Sequence, residues 1–240
     1  MQAHQAQLDL RLPTRRGWGG HRRGAGRKPG PQPRVPHRRR TPIAARFPAH
    51  VTVKLLPGIP SLRTVSLVRG LEQSFAAVRA RGDFRLVHYT LQDTHAHLIV
   101  EASNARALGR GMMAVGARIA RALNRTFGHH GPVLAERFHA RVLRTPREVR
   151  NALAYVLLNT RRHARRLWRG TRIDPASSGR WFDGWRQGQH VDGPNVDTMP
   201  VSRPHTWLLA IGWRRHGLID PEEVPGARAH TRSTATQKRG

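Results

Sequence analysis

The sequence predicts an α+β fold in which one antiparallel sheet is covered by helices on one face. Segments that alternate with a period of two are interleaved with segments whose apolar residues recur at helical spacing. Two of the extended segments are joined by only three polar residues, which makes them antiparallel neighbours. The chain of 240 residues has room for one ordinary domain plus arms, because compact domains cluster near about 100 to 150 residues.

The ordered part begins at Pro48. His50 to Leu56, rich in β-branched residues, reads as a first strand that stops at the Pro57-Gly58 turn. Leu62, Val65, Val68, Leu71, Phe75 and Val78 then recur at helical spacing from a Ser61 cap, and Gly82 ends the run, a helix of about five turns at 3.6 residues per turn. Phe84 to Leu91 and His95 to Ala102 form a predicted hairpin across Gln92-Asp93-Thr94. Ser103 can cap a helix running through Leu108, Met112, Val115, Ile119 and Leu123 to Phe127, broken by Gly128 and Gly131-Pro132. Val133 to Leu143 reads as a further strand or strand pair. At Thr145-Pro146-Arg147-Glu148, a Thr N-cap, Pro at N1 and Glu at N3 make a capping box for a helix that carries Tyr155. The order strand, helix, strand, strand, helix, strand, helix fits a ferredoxin-like (RRM-like) core.

This places a folded domain at 48–170 between two flanks. Residues 1–47 form a basic arm rich in Arg, Gly and Pro, with no acidic residue between Asp9 and Glu72, and such a composition cannot bury a core, so disorder is expected. Residues 171–240 form a tail with Trp181, Trp185, Trp207 and Trp213 and one short helix near Trp207 to His216. Its tryptophans are expected to pack on the core rather than to stack on bases. No fixed-period repeat occurs.

Lys and Arg total 43 against 14 Asp and Glu, a net charge of +29. Soluble domains need only about 2 to 8 charges and mix both signs, so an excess this large points to a polyanionic partner, nucleic acid. No apolar run approaches the roughly 20 residues needed to span a membrane, and Met1 to Leu12 lacks the apolar region of a signal peptide. No membrane role and a cytoplasmic location are therefore expected. With no cysteine, disulfides, zinc ribbons and thiol nucleophiles are excluded.

His95 and His97, one residue apart on a predicted strand, send both imidazoles to one face and make half a metal site. By itself a His-x-His pair is a weak signal among 15 histidines. Tyr155 and Asn159 stand at i and i+4 of the capped helix and should share a face, although an aromatic at helical spacing is usually core. Within the arm, Arg22, Arg23, Arg27 and Lys28 lie in a Gly- and Pro-containing stretch that resembles arms inserted in a narrow minor groove. A linker that touches phosphate without selectivity is an equal reading. Arg161, Arg162, Arg165, Arg166 and Arg169 follow the tyrosine helix without an acidic neighbour and are candidates to hold a nucleic-acid backbone.

Thr94-His95-Ala96-His97-Leu98-Ile99-Val100, followed about sixty residues later by Tyr155-Val156-Leu157-Leu158-Asn159, resembles the HUH motif and nucleophile helix of single-tyrosine transposases, above all the bacterial REP-associated tyrosine transposases. The resemblance runs over about His50 to Arg169 and includes Glu136-Arg137-Phe138 before the last strand. Where the family often has Pro-Asn before the first His and Asn-Pro in the tyrosine helix, this chain has Asp93-Thr94 and Asn159-Thr160.

The resemblance implies an HUH endonuclease fold. It also implies Mg²⁺ or Mn²⁺ held by His95, His97 and a third oxygen ligand, for which Asn159 is the best candidate. Tyr155 would be the nucleophile that forms a covalent 5′-phosphotyrosine and frees a 3′-OH. Single-stranded or hairpin DNA is the implied substrate, and a monomer or a homodimer the implied assembly. Two other readings stand beside it: a non-catalytic nucleic-acid-binding protein, RNA included, with an RRM-like fold, and a His-dependent hydrolase that uses metal-activated water. Against the first, no run like the RRM aromatic motif is present.

Overall fold

The computed structural model describes residues 42–160, 173–186 and 199–226. Five strands form one antiparallel sheet: β1 Ala49–Lys54, β2 Ala80–Arg81, β3 Phe84–Leu91, β4 His95–Ala102 and β5 His139–Val142, in the spatial order β2-β3-β4-β1-β5. Among the described residues they are accompanied by the helices α1 Val65–Ala76, α2 Ala105–Phe127 and α3 Pro146–Leu157, and a short helix α4 covers Trp207–Ala210. Among the described residues no helix is long and apolar enough to cross a membrane.

The predicted hairpin is found with the bounds read from the sequence. The first helix is shorter than its periodicity suggested. It starts after Thr64, and Ser61 instead accepts the Arg63 N–H and donates to Asp93 in the turn before it. Leu62 and Val78 are buried as expected, but outside the helix, because Ala80 and Arg81 are captured by pairing with Arg85 and Phe84. Asn104, not Ser103, caps α2 by accepting the Ala107 N–H, and Gly128 closes that helix in the left-handed conformation that favours glycine. The stretch Val133 to Leu143 divides into an isolated Leu55–Leu134 bridge and β5. The capping box of α3 forms as read: Thr145 accepts from Glu148 N–H, and the Glu148 carboxylate accepts from Thr145 N–H.

The sheet is covered on both faces, and this corrects the expectation of helices on one face. Val51, Val53, Leu98, Val100 and Leu86 pack with α1 and α2 in one cluster. On the opposite face Val87 and Ile99 pack with Val149, Leu153, Val156 and Leu157 of α3. Tyr89 and Leu91 rejoin Phe84 and Leu86 on the α1/α2 face because the β3–β4 register shifts between Leu86 and His88, a bulge that resets the alternation. Eight-residue β4 is buried at every position but His95, which a strand covered on both sides requires.

Within 173–186 and 199–226, several residues complete this second core. Phe182, Trp185, Leu208, Leu209, Trp213 and Ile219 join the α3 cluster. Buried Glu101 fixes the entry to α4, its carboxylate accepting the N–H groups of His205 and Thr206 at 2.7 to 3.1 Å. Trp185 and Trp213 are thus core residues, as expected, whereas Trp207 is exposed.

Candidate active site

The α3-facing side of β1 and β4 carries a polar cluster in an otherwise apolar layer. The register sets Thr52 against His97 and His50 against Ile99, so His50, Thr52, His95 and His97 project to the side that α3 covers. Tyr155, in the last turn of α3, arrives above them, and its ring lies edge-on to His97 at 5.0 Å and to His50 at 5.6 Å between centroids. Tyr155 Oη is 3.3 Å from His97 Nε2, and His97 Nε2 is 3.1 Å from His95 Nε2. Strand and helix therefore bring together three of the residues singled out from the sequence.

The Nδ1 atoms of both histidines face hydroxyls: Thr94 Oγ1 is 3.2 Å from His95 Nδ1, and Thr52 Oγ1 is 3.1 Å from His97 Nδ1. A neutral imidazole has one donor and one acceptor nitrogen. With the protons on Nδ1 and given to the threonines, both Nε2 lone pairs point at each other across 3.1 Å, a repulsive arrangement unless a proton or cation lies between. Two nitrogens in adjacent positions of an octahedral shell with bonds of about 2.1 Å are about 3.0 Å apart. The pair therefore fits a small divalent cation, held in the way metal-binding histidines are oriented, through the second ring nitrogen.

His50 adds a further contact, its Nε2 3.2 Å from His97 Nδ1. Burial lowers its pKa to about 4, with the charges of Arg141 and His139 acting in the same direction. It is neutral at neutral pH, and its Nε2 can share the His97 Nδ1 hydrogen with Thr52 Oγ1.

α3 ends at Leu157, Leu158 departs from helical geometry with φ −114° and ψ 18°, and Asn159 and Thr160 are helical again beyond it. The Asn159 side chain is fully buried, and neither its oxygen nor its nitrogen has a hydrogen-bond partner. A buried amide left unpaired costs about 1–3 kcal/mol, and an oxygen in that state is chemically suited to a cation. Among the described residues no group of three or more His, Asp and Glu is arranged to hold a metal. A cation at His95 and His97 would complete its shell with neutral oxygens, water or phosphate.

The chain just beyond Asn159 is pinned. Thr160 donates to Asp174, whose carboxylate also takes a two-pronged contact of 2.9 Å from Arg63 and the Ala176 N–H. The Asp174 hydrogen bond is the main reason that the Arg63 pKa is raised.

Sequence reasoning missed His50, Thr52 and this Arg63–Asp174 anchor. For His50 and Thr52 a signal existed in their i, i+2 spacing on the first strand, but it became meaningful only with the β1–β4 register. Arg161, Arg162, Arg165, Arg166 and Arg169, like Arg22, Arg23, Arg27 and Lys28, lie outside the described residues.

No family model and no curated protein matches the chain. A solved structure of a REP-associated tyrosine transposase bound to a REP hairpin is similar at 17% identity with a TM-score of 0.43, over 54% of this chain and 74% of that one, a likeness too slight to carry a functional argument.

Proposed function

We propose that this chain is a DNA strand-cleaving and rejoining enzyme of the HUH single-tyrosine type, acting on single-stranded or hairpin DNA through a covalent phosphotyrosine. The observation that carries the reading is the row Tyr155 Oη, His97 Nε2, His95 Nε2, with consecutive separations of 3.3 and 3.1 Å. The element order β1-α1-β3-β4-α2-β5 matches the β-α-β-β-α-β order of a ferredoxin-like core and supports it.

His95 and His97 would hold Mg²⁺ or Mn²⁺, with Asn159 as the candidate oxygen ligand. When bound, the cation supplies charge neutralisation at the scissile phosphate and orients it for in-line displacement. Tyr155 does the covalent work. Its oxygen forms a bond to phosphorus as the bond from phosphorus to the 3′-oxygen breaks. The phenol loses one proton and the departing 3′-oxygen gains one, so the step is balanced without a nucleotide energy source. The freed 3′-OH can attack the same linkage and rejoin strands. Thr52, Thr94 and His50 hold the imidazoles in the orientation that keeps Nε2 toward the phosphate.

The net charge of +29 supports a polyanionic substrate. The cover of α3 over Val87 and Ile99 speaks against the RRM-like alternative, in which bases lie on exposed sheet-face aromatics. A hydrolase using metal-activated water would leave Tyr155 dispensable.

The test is incubation of a labelled hairpin bearing a single-stranded flank with Mn²⁺, using wild type, Tyr155→Phe and His95→Ala/His97→Ala. A denaturant-resistant protein–DNA adduct with wild type alone, while all three bind DNA, is the expected result. Normal cleavage by Tyr155→Phe overturns the tyrosine mechanism.

A further inference from the structure

Beside the Tyr155 ring opens a cleft of about 850 Å³ that runs from His50 and Tyr155 to residues 223–226. One wall is α3, where Asn151 and Tyr155 stand at i and i+4 on a helix that is regular over this span. The floor is formed at the β1/β5 edge, with His50, Arg141 and Leu143. Glu223 to Gly226 make the opposite wall, and Arg150 fastens them there by two hydrogen bonds of 2.6 and 2.7 Å to the Glu223 carboxylate.

The lining divides by chemistry. Leu143, Ala152, Ala154, Val224 and Pro225 offer apolar surface for a flat ring. Arg150 is neutralised by Glu223 and contributes shape, not charge. Arg141 is 65% exposed, and its 3.2 Å contact with Glu148 is a weak surface pair, which leaves its charge available to an anion. Asn151 is exposed, and no hydrogen bond among the described residues holds its amide.

We infer that this cleft binds one unstacked nucleobase of the substrate strand next to the attacked phosphodiester, with Asn151 reading its edge and Arg141 taking a flanking phosphate. An asparagine amide presents a donor and an acceptor side by side and matches the N6/N7 edge of adenine, so adenine is the favoured occupant. Apolar walls select for a base already free of its stack, because a paired base cannot enter. The cleft opens on the same side of α3 as the Tyr155 ring, so a base seated in it fixes which phosphate meets the hydroxyl. This inference rests on the strand-cleavage reading for its substrate, yet it can be tested without cleavage.

The experiment measures binding of the full chain to hairpin oligonucleotides with a single-stranded flank. Each flank position in turn is made abasic or changed from adenine, in buffer with Mn²⁺ and with EDTA. Wild type, Asn151→Ala and Asn151→Gln are compared, with adduct yield scored in parallel. The expected result is one flank position at which base removal weakens wild-type binding about tenfold. Asn151→Ala should lose a similar factor on intact DNA and become indifferent to base removal at that position, and Asn151→Gln should recover part of it. Equal sensitivity of wild type and Asn151→Ala at every position overturns the inference, whether or not adducts form. Coupling at one position with no adduct under any condition keeps the base pocket and sinks the cleavage reading. Circular dichroism of each variant separates these results from misfolding, and Asn151 is an exposed helix position where alanine is well tolerated.

Discussion

His88 gives the fold a measurable acid sensitivity. It lies at the β3 bulge, 6% exposed, with Nδ1 3.2 Å from Ser178 Oγ and its ring edge-on to Phe182. Burial lowers its pKa from 6.5 to about 4, with only a small opposing effect from Asp183. As pH falls below 6.5 the unfolded chain takes up a proton that the folded chain refuses until about pH 4. The unfolded state therefore binds more protons in that window, and stability falls with pH. With those two values, lowering the pH from 7.5 to 5 removes about 2 kcal/mol, a sizeable part of the roughly 5–15 kcal/mol that holds a domain together. The assay is urea unfolding followed by circular dichroism at pH 7.5, 6, 5 and 4.5, for wild type and His88→Gln. Glutamine keeps a group that can hydrogen-bond Ser178 but cannot titrate, and any fixed cost of the substitution cancels in the slope. His50 shifts the same way and is present in both proteins, so its contribution cancels too. Wild type should lose about 2 kcal/mol more than His88→Gln between pH 7.5 and 5. Equal losses would refute the claim that His88 is held neutral by burial.

Other consequences follow from single contacts. A Cβ on Gly111 would lie 2.2 Å from the Phe84 ring, so Gly111→Ala should destabilise by about 1–2 kcal/mol in urea melts, overpacking outweighing the roughly 1 kcal/mol gained in helix propensity. Glu101→Ala strips the N–H groups of His205 and Thr206 of their acceptor, and a loss of about 3 kcal/mol with early proteolytic cutting around residue 205 is expected. Thr52→Val removes the hydroxyl partner of His97 Nδ1 at nearly constant volume. It should weaken Mn²⁺ binding by about 10- to 100-fold in titration calorimetry while leaving the melting temperature close to wild type.

The elements whose signals are local were legible in the sequence. The hairpin was bounded by its turn, and α3 by a capping box whose three side chains act within one helical turn. The first helix was overread because Leu62 and Val78 are buried by packing on the sheet, which periodicity cannot distinguish from helix. The two-sided sheet was missed although Leu98-Ile99-Val100 carried its signature, an apolar run without alternation. The β3 bulge at Val87, and with it the facing of Tyr89, was invisible to a strict period of two. In the candidate site, the shared face of His95 and His97 followed from strand geometry, while their role as ligands came only from the resemblance to a known pattern. Tyr155 needed the comparison with a known pattern, and the irregularity at Leu158, between Tyr155 and Asn159, has no signal in the apolar periodicity. His50 and Thr52 depend on which strand lies beside β4, a long-range fact that no local pattern contains.

The most direct test of the account is the site of covalent attachment. The wild-type adduct formed with a hairpin substrate and Mn²⁺ is digested with nuclease and trypsin, and the nucleotide-bearing peptide is sequenced by mass spectrometry. Cleavage after Arg150 and Arg161 isolates Tyr155 in one peptide, whereas Tyr89, the other tyrosine of the chain, falls between Arg85 and Arg106. The account predicts a phosphate-linked nucleotide on Tyr155; DNA cleavage with both tyrosine peptides unmodified, or modification at Tyr89, would contradict it.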